Sequence, residues 1–344
     1  MTLPRQLRQL VSRPLAALVL ATASLNSLAA DYTLTISSWA PPTHGINAKM
    51  WPTFVRMVEE ATGGKVTAQL KLGLAPPPAQ FDMVQDGAAD LSIVFHGYQS
   101  GRFVTTKLIE LPGYEGSAEA ASVAYWRAYE KYLAKANEHR GVKVVALHTH
   151  GPAQLHSAAK VTSLAQIKGL KLRVPGGVGG DVGAALGATG IKVPAPKVYE
   201  TLASKSADGV VMPLESRKGF KLTEVAQNVY ELPGGLYRGS FAFIMNEEAF
   251  TSLPEDLQKA LEEQVFGEPL SRAIGAVWDE NDASGREATL AAPDNSINAA
   301  SAADVAAYGP IALSIKAKVI EEVAAKGVDA QAAYDFIVST MKSL

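Results

Sequence analysis

The chain of 344 residues contains no cysteine. No disulfide can therefore staple the fold, no thiol stands behind a leader to take a lipid anchor, and size alone must supply the core. An excess of either charge is missing too: 32 basic residues face 34 acidic ones, a formal charge of −2. A mildly acidic chain without basic clusters is a poor partner for nucleic acid. Beyond the N-terminal leader region nothing approaches the ~18 uninterrupted apolar residues that a membrane span requires, so the chain is not expected to cross a bilayer. Signatures of catalysis are scarce. No serine sits in Gly-x-Ser-x-Gly, which argues against an elbow hydrolase. Gly176-Gly177-Val178-Gly179-Gly180 has neither the dinucleotide spacing nor the lysine of a P-loop. His148-x-His150 would place two imidazoles on one face of a strand, but no His-Glu-x-x-His or cysteine pattern completes a zinc site. No metal and no cofactor are expected.

What is present begins with an address. Arg5, Arg8 and Arg13 precede an apolar run from Leu15 to Leu25, and Ser27-Leu28-Ala29 offers small residues where a signal peptidase reads. Residues 1–29 are expected to be a secretory signal peptide, cleaved after Ala29 or Ala30. Its loss removes three arginines and moves the formal charge from 32 − 34 = −2 to 29 − 34 = −5. The expected location is a bacterial periplasm. The rest, within a chain 47% hydrophobic and 19% charged with 29 glycines, has the composition of a soluble protein of about two domains.

The mature chain opens with an alternating strand, Tyr32 to Trp39, then a helix over Asn47 to Thr62 and a second strand from Lys65 to Leu72. That β-α-β order within about forty residues indicates a parallel sheet. A helix around Ala79 to Asp86 leads to a buried strand, Leu91 to Phe95, which ends at His96-Gly97-Tyr98. The stretch Phe81 to Val94 can be laid on Tyr199 to Met212 without a gap, at an offset of 199 − 81 = 118, with aromatic, acidic, aliphatic and Ala-Asp positions coinciding. Either helix-to-strand junctions simply resemble one another, or two similar lobes face a shared cleft. Gly151-Pro152 is a candidate crossing point between them. Ser163-Leu164-Ala165-Gln166 reads as a capping box, and Asp256 to about Ala291 as one long or kinked helix able to back both lobes. Alanine-rich helices from Ala302 onward are expected against the second lobe.

Between these lies Gly169-Leu-Lys-Leu-Arg-Val-Pro-Gly-Gly177. Leu170, Leu172 and Val174 alternate with Lys171 and Arg173 in a short strand that Pro175 and two glycines stop. Arg173 thus sits at a strand's C-terminal end, where open α/β sheets bind ligands, and offers a rigid fork matched to a carboxylate. It is equally readable as a surface arginine with its stem on apolar neighbours. A helix from Val178 to Leu186 follows, whose free amides would add to an anion site. Glu215 either faces the cleft or caps a helix.

Together the leader, the Phe81 to Ile93 helix and strand, Ile167-Lys168-Gly169-Leu170-Lys171-Leu172-Arg173-Val174-Pro175, Ala207-Asp208-Gly209 and Leu253-Pro254-Glu255-Asp256-Leu257-Gln258 resemble the extracytoplasmic solute receptors of TRAP transporters, the DctP type. The resemblance covers essentially the whole mature chain. It implies an α/β, two-lobed periplasmic binding protein fold closing over a small organic acid, with Arg173 matching the arginine that grips the carboxylate and with separate membrane subunits as partners. Lobe I is expected from 30–150 plus 238–278, and lobe II from 151–237 plus 279–344. The candidate ligand set is Arg173, Trp39, His96, Tyr98, Ala153, Gly176, Met212 and Glu215. Ala153 and Met212 stand where relatives that take acidic sugars commonly carry polar ligand contacts, and only one arginine is well placed. A monocarboxylate with an uncharged, branched or aromatic tail is therefore expected. The reading from another class is a secreted enzyme using the same cleft, with His96 or Glu215 as general base.

Overall fold

The computed structural model describes residues 30–344, so the expected signal peptide lies outside the described residues. Eleven strands follow in chain order: β1 (Tyr32–Ser38), β2 (Val66–Leu72), β3 (Leu91–Phe95), β4 (Lys143–Thr149), β5 (Gln154–Ser157), β6 (Lys171–Val174), β7 (Thr189–Lys192), β8 (Gly209–Met212), β9 (Asn228–Glu231), β10 (Ser240–Met245) and β11 (Ser296–Ala299). They form two sheets, ordered β2-β1-β3-β10-β4 and β11-β9-β5-β8-β6-β7. In the first, β1 is parallel to β2 and β3, while β10 is antiparallel to β3 and β4. In the second, β6 is parallel to β7 and β8, while β5 is antiparallel to β8 and β9. The fold is a two-lobed α/β structure. The chain crosses between sheets after β4 and returns before β10, and the two crossings pair. Ala153 donates its N–H to Tyr237 O at 2.9 Å, and Leu236 donates to Ala153 O at 2.8 Å.

The internal echo has a physical counterpart. Each copy begins with a 3-10 turn, Pro77–Ala79 and Ala195–Lys197, enters a short helix, Gln80–Gln85 and Val198–Ala203, and ends in a central strand, β3 and β8. Gly87 and Lys205, 118 residues apart, both adopt the left-handed conformation, at φ 71° and 57°. Asp90 and Asp208 then make the same bonds. Asp90 donates its N–H to Thr35 O and accepts Thr35 N–H on Oδ2, at 2.9 and 2.7 Å. Asp208 does both with Lys171, each at 2.7 Å. The acid reads one residue of the neighbouring strand at both its N–H and its C=O, which fixes register in both lobes and explains the repeated Ala-Asp.

Behind the sheets the 256–291 region departs from the single helix expected. It forms two helices, Glu255–Gln264 and Glu268–Ala291, because Gly267 turns its N–H away to Val145 O on β4 and Pro269 occupies the first turn of the second. The longer of these spans both lobes, in contact with helix Ala118–Ala128 and β4 on one side and helix Ser216–Gly219 on the other. Two acids three residues apart hold the two sides. Asp279 accepts the N–H groups of Ala118 and Glu119 at 2.7 and 3.0 Å, at the start of helix Ala118–Ala128. Asp282 accepts the N–H of Glu215 at 2.7 Å, in the loop after β8. Two glycines let the helix approach: a Cβ at Gly275 would meet Glu119 Cα at 2.5 Å, and one at Gly285 would meet Leu214 O at 2.0 Å. The capping box at Ser163 and Gln166 forms as expected. The terminal helix Ala330–Ser343 packs on helix Ala118–Ala128, a first-lobe neighbour that its alanine-rich pattern did not indicate.

Since a backbone oxygen cannot yield as a side-chain tip can, Gly285→Ala is expected to destabilise the protein by about 1–3 kcal/mol through overpacking. Denaturant unfolding checks this, and a midpoint at or above that of the parent would show that the helix can shift without cost.

Candidate functional site

A small cavity lies between the sheets. The first lobe contributes Trp39, His44, Ile46, Phe95, Tyr98 and Phe241, the second Arg173, Pro175, Ala195, Met212, Pro213, Glu215 and Phe220, the crossings His150 and Tyr237, and the long helix Trp278. Its walls are mostly rings. Phe95 meets Tyr98 at 4.7 Å and Phe241 at 5.0 Å between centroids, and Phe241 meets Trp278 at 5.4 Å. Trp39 is not free to donate to a ligand, since its indole N–H goes to Ile93 O at 2.8 Å. It presents a ring face only.

Arg173 reaches this space from the end of β6 and is 1% exposed. Its Nε donates to Val193 O at 2.9 Å, and Nη2 lies 3.4 Å from the Tyr98 hydroxyl, which also accepts the N–H of Ala195 at 2.7 Å. No carboxylate pairs with it among the described residues. Two other arginines are as deeply buried, but neither lines the cavity. Arg217 spends its guanidinium on Ala226 O, Leu222 O, Thr289 Oγ1 and Asn295 Oδ1. Arg238 donates to Gly116 O at 2.6 Å and, over longer distances, to the carbonyls of His150 and Tyr114. Both are tied into loops outside the cavity. A buried guanidinium needs an anion or a full set of acceptors. Arg173 has neither, and although Arg238 Nε also lacks a partner, Arg173 is the one of the three that lines the cavity.

Of the expected ligand residues, Arg173, Trp39, Tyr98, Met212 and Glu215 come together around the cavity, and three do not. Ala153 is fully buried, with both its N–H and C=O committed to the paired crossing. Gly176 has φ +101°, and a Cβ there would meet Gly97 O at 2.4 Å, so its role is to let the two lobes' loops touch. His96 turns away into a buried polar chain. Its Nε2 lies 2.9 Å from His139 Nε2 and its Nδ1 3.0 Å from Ser240 Oγ, which donates to Glu110 Oε1 at 2.5 Å. The other Glu110 oxygen accepts the N–H of Val178 at 3.0 Å. The N-terminus of helix Gly177–Ala185, expected to serve a bound anion, is thus already occupied by an acid of this chain.

The chain's periodicity hid the remaining lining residues. Trp278 and Phe241 look like ordinary core positions, and His44 sits in a loop without regular spacing. Tyr237 belongs to the returning crossing, just before β10. His148, the neighbour of the paired-imidazole reading, accepts the Trp278 indole N–H at 2.9 Å and stacks on Phe241. Among the described residues no group of three or more His, Asp or Glu could hold a metal.

Burial pushes the Glu110 carboxyl up to about 7. A raised carboxyl contributes stability that is complete below the ordinary carboxylate range and is lost as pH rises through about 7. Glu110→Gln cannot ionise. Its melting temperature relative to the parent is expected to rise between mildly acid and mildly alkaline pH, and a difference that stays flat across that window would place the titration elsewhere.

The family model for DctP, the bacterial extracellular solute-binding proteins of family 7, matches residues 36–306. A TRAP periplasmic solute-binding protein from Bordetella bronchiseptica, solved with bound (R)- and (S)-mandelate, is 36% identical, with a TM-score of 0.87 over 90% of this chain and 99% of that one. Another from Rhodoferax ferrireducens, solved with copurified benzoate, is 28% identical, with a TM-score of 0.84 over 90% and 98%. Among characterised sequences, the outer membrane transporter protein TsaT of Comamonas testosteroni is 28% identical over 93% of this chain and 95% of its own. In family and in fold, the chain belongs to the DctP-type solute-binding proteins of TRAP transporters.

Proposed function

We propose that this protein is the periplasmic receptor of a TRAP transporter for a small aromatic monocarboxylate, gripped at its carboxylate by Arg173 and passed on unchanged to the membrane subunits. The observation that carries the reading is a guanidinium buried to 1% exposure, without an anion of its own, facing a cavity walled by rings. A ligand carboxylate supplies the missing partner, and its ring fills the space between Trp39, Phe95, Phe241 and Met212 as apolar pockets with a few polar anchors do. The mandelate and benzoate in the two similar structures are acids of this kind. Among the described residues no helix is long and apolar enough to cross a membrane, so transport falls to other subunits. No serine, threonine or cysteine lines the cavity: His96 is locked in its buried chain, and Ser216, whose Oγ donates to Glu215 Oε1 at 2.9 Å, is fully buried outside the lining.

Isothermal titration with benzoate and mandelate should give saturable, stoichiometric binding with no turnover. Arg173→Ala leaves the ligand carboxylate unpaired, a loss of about 3–5 kcal/mol, and affinity should fall by two orders of magnitude or more. Arg173→Lys should also be poor, since an ammonium does not reproduce the fork. Binding of succinate or malate but of no aromatic monocarboxylate would overturn the ligand class, and undiminished binding by the alanine variant would remove Arg173 from the site.

A further inference from the structure

The cavity holds a second buried charge, of opposite sign, that is not paired with the first. Glu215 follows Met212-Pro213-Leu214 at the end of β8 and is 4% exposed. Its Oε2 lies 3.1 Å from His44 Nε2, across the lobes. His44 Nδ1 accepts the N–H of Ile46 at 3.2 Å, so the proton of a neutral ring is carried on Nε2, against the carboxylate. The approach is not in line, and Nε2 makes no hydrogen bond. From Arg173 the wall passes through Tyr98, Phe95, Phe241 and Trp278 to His44 and Glu215, each ring next to the one before. Behind Glu215 stand Asp282, which accepts its N–H, and Asp279 one turn away. Burial is the main cause that pushes the Asp282 carboxyl up to about 8; Glu215 and Asp279 add to it, while the Glu215 N–H and the Arg238 guanidinium act against it. One part of the lining is therefore cationic and another anionic, with rings between.

We propose that Glu215, positioned by His44, is a specificity-determining residue that rejects ligands carrying a second negative charge. The inference rests on Arg173 holding a carboxylate in this cavity. With that group anchored, a second carboxylate on the ligand is desolvated among rings and meets Glu215, a like charge, while Arg173 is the one lysine or arginine in the cavity lining. A neutral donor in the same place, an amide N–H or a hydroxyl, finds an acceptor in Oε2. Arg173 selects for one carboxylate, and Glu215 selects against another, a repulsive element that affinity for the first group does not provide.

The test compares near-isosteric pairs: benzenedicarboxylates and the matching carbamoylbenzoates, in ortho, meta and para forms, with benzoate as reference, by isothermal titration at neutral pH. In the parent protein at least one carbamoyl acid should bind about tenfold or more tighter than its diacid, and in Glu215→Gln that ratio should shrink by about tenfold, whatever happens to benzoate affinity. A merely structural role for Glu215 would weaken both members of a pair together. A diacid bound as tightly as its amide by the parent protein, or a ratio unchanged in the variant, overturns the proposal. So does rejection of both members in all three forms, which would put shape in place of charge. If the variant does not fold, the parent protein's own ratios still decide. Failure of the parent protein to bind benzoate or any of these acids strikes the aromatic-acid reading itself, and this proposal with it; benzoate bound without discrimination between the pairs strikes only the filter.

Discussion

A guanidinium taken out of water without its own anion is among the costlier things a fold can hold, and the position of Arg173 shows what holds it. The alternation of β6 turns the side chain inward, Pro175 and Gly176 end the strand immediately afterwards, and Val193 O and Tyr98 take up part of the donor set. Tyr98 comes from the other lobe and is itself tied to Ala195 N–H. The charge that needs a ligand is thus also a point at which the two lobes touch. On the proposed function, a carboxylate bound there would complete the guanidinium and stabilise the arrangement in which Tyr98 lies against it, linking occupancy to lobe contact through one side chain.

The long helix makes such linkage mechanically possible. Its two glycines seat it against the start of helix Ala118–Ala128 and against Leu214, its two acids bond to each of those segments, and Trp278 between them closes the cavity. The helix thus contacts both lobes, beside the paired crossings at Ala153 and Tyr237. Arg238 hydrogen-bonds backbone carbonyls near that junction, and the nearby charges of Asp279 and Asp282 on the helix favour its charged form against the cost of burial.

Much of this was legible in the chain. The alternation of β1, the Arg-Val-Pro end of β6, the capping box at Ser163 and the repeated Ala-Asp each reflect a local rule, a period or a side chain bonded to nearby backbone, and local rules survive in sequence. Trp39, Tyr98, Arg173, Met212 and Glu215 line the cavity, and all lie in or just past strand ends. His96 also ends a strand, but the 3-10 turn His96–Tyr98 sends it toward His139 while sending Tyr98 to the cavity. Spacing cannot distinguish those directions. Trp278, Phe241 and His44 were invisible because their importance depends on which long-range surfaces meet, and the break at Gly267 was missed because its cause is a carbonyl on β4.

The repeated unit also shows how one design yields a site that neither lobe has alone. β3 and β8 sit at matching places in the echo, and both deliver their following loops to the cavity, Phe95 and Tyr98 from one, Met212, Pro213 and Glu215 from the other. The backbone devices are shared, down to the left-handed residue and the aspartate that reads the next strand. The side chains delivered are not. The first lobe's strand ends supply most of the rings, whereas the second supplies both charges, Arg173 and Glu215. An aromatic acid bound as proposed would have its polar end recognised by one half of the protein and much of its apolar body covered by the other. Since the gain from burying a ring grows with the apolar area taken out of water, such a ligand would gain more with the lobes together than from either lobe alone, which is the differential affinity that a closing receptor requires.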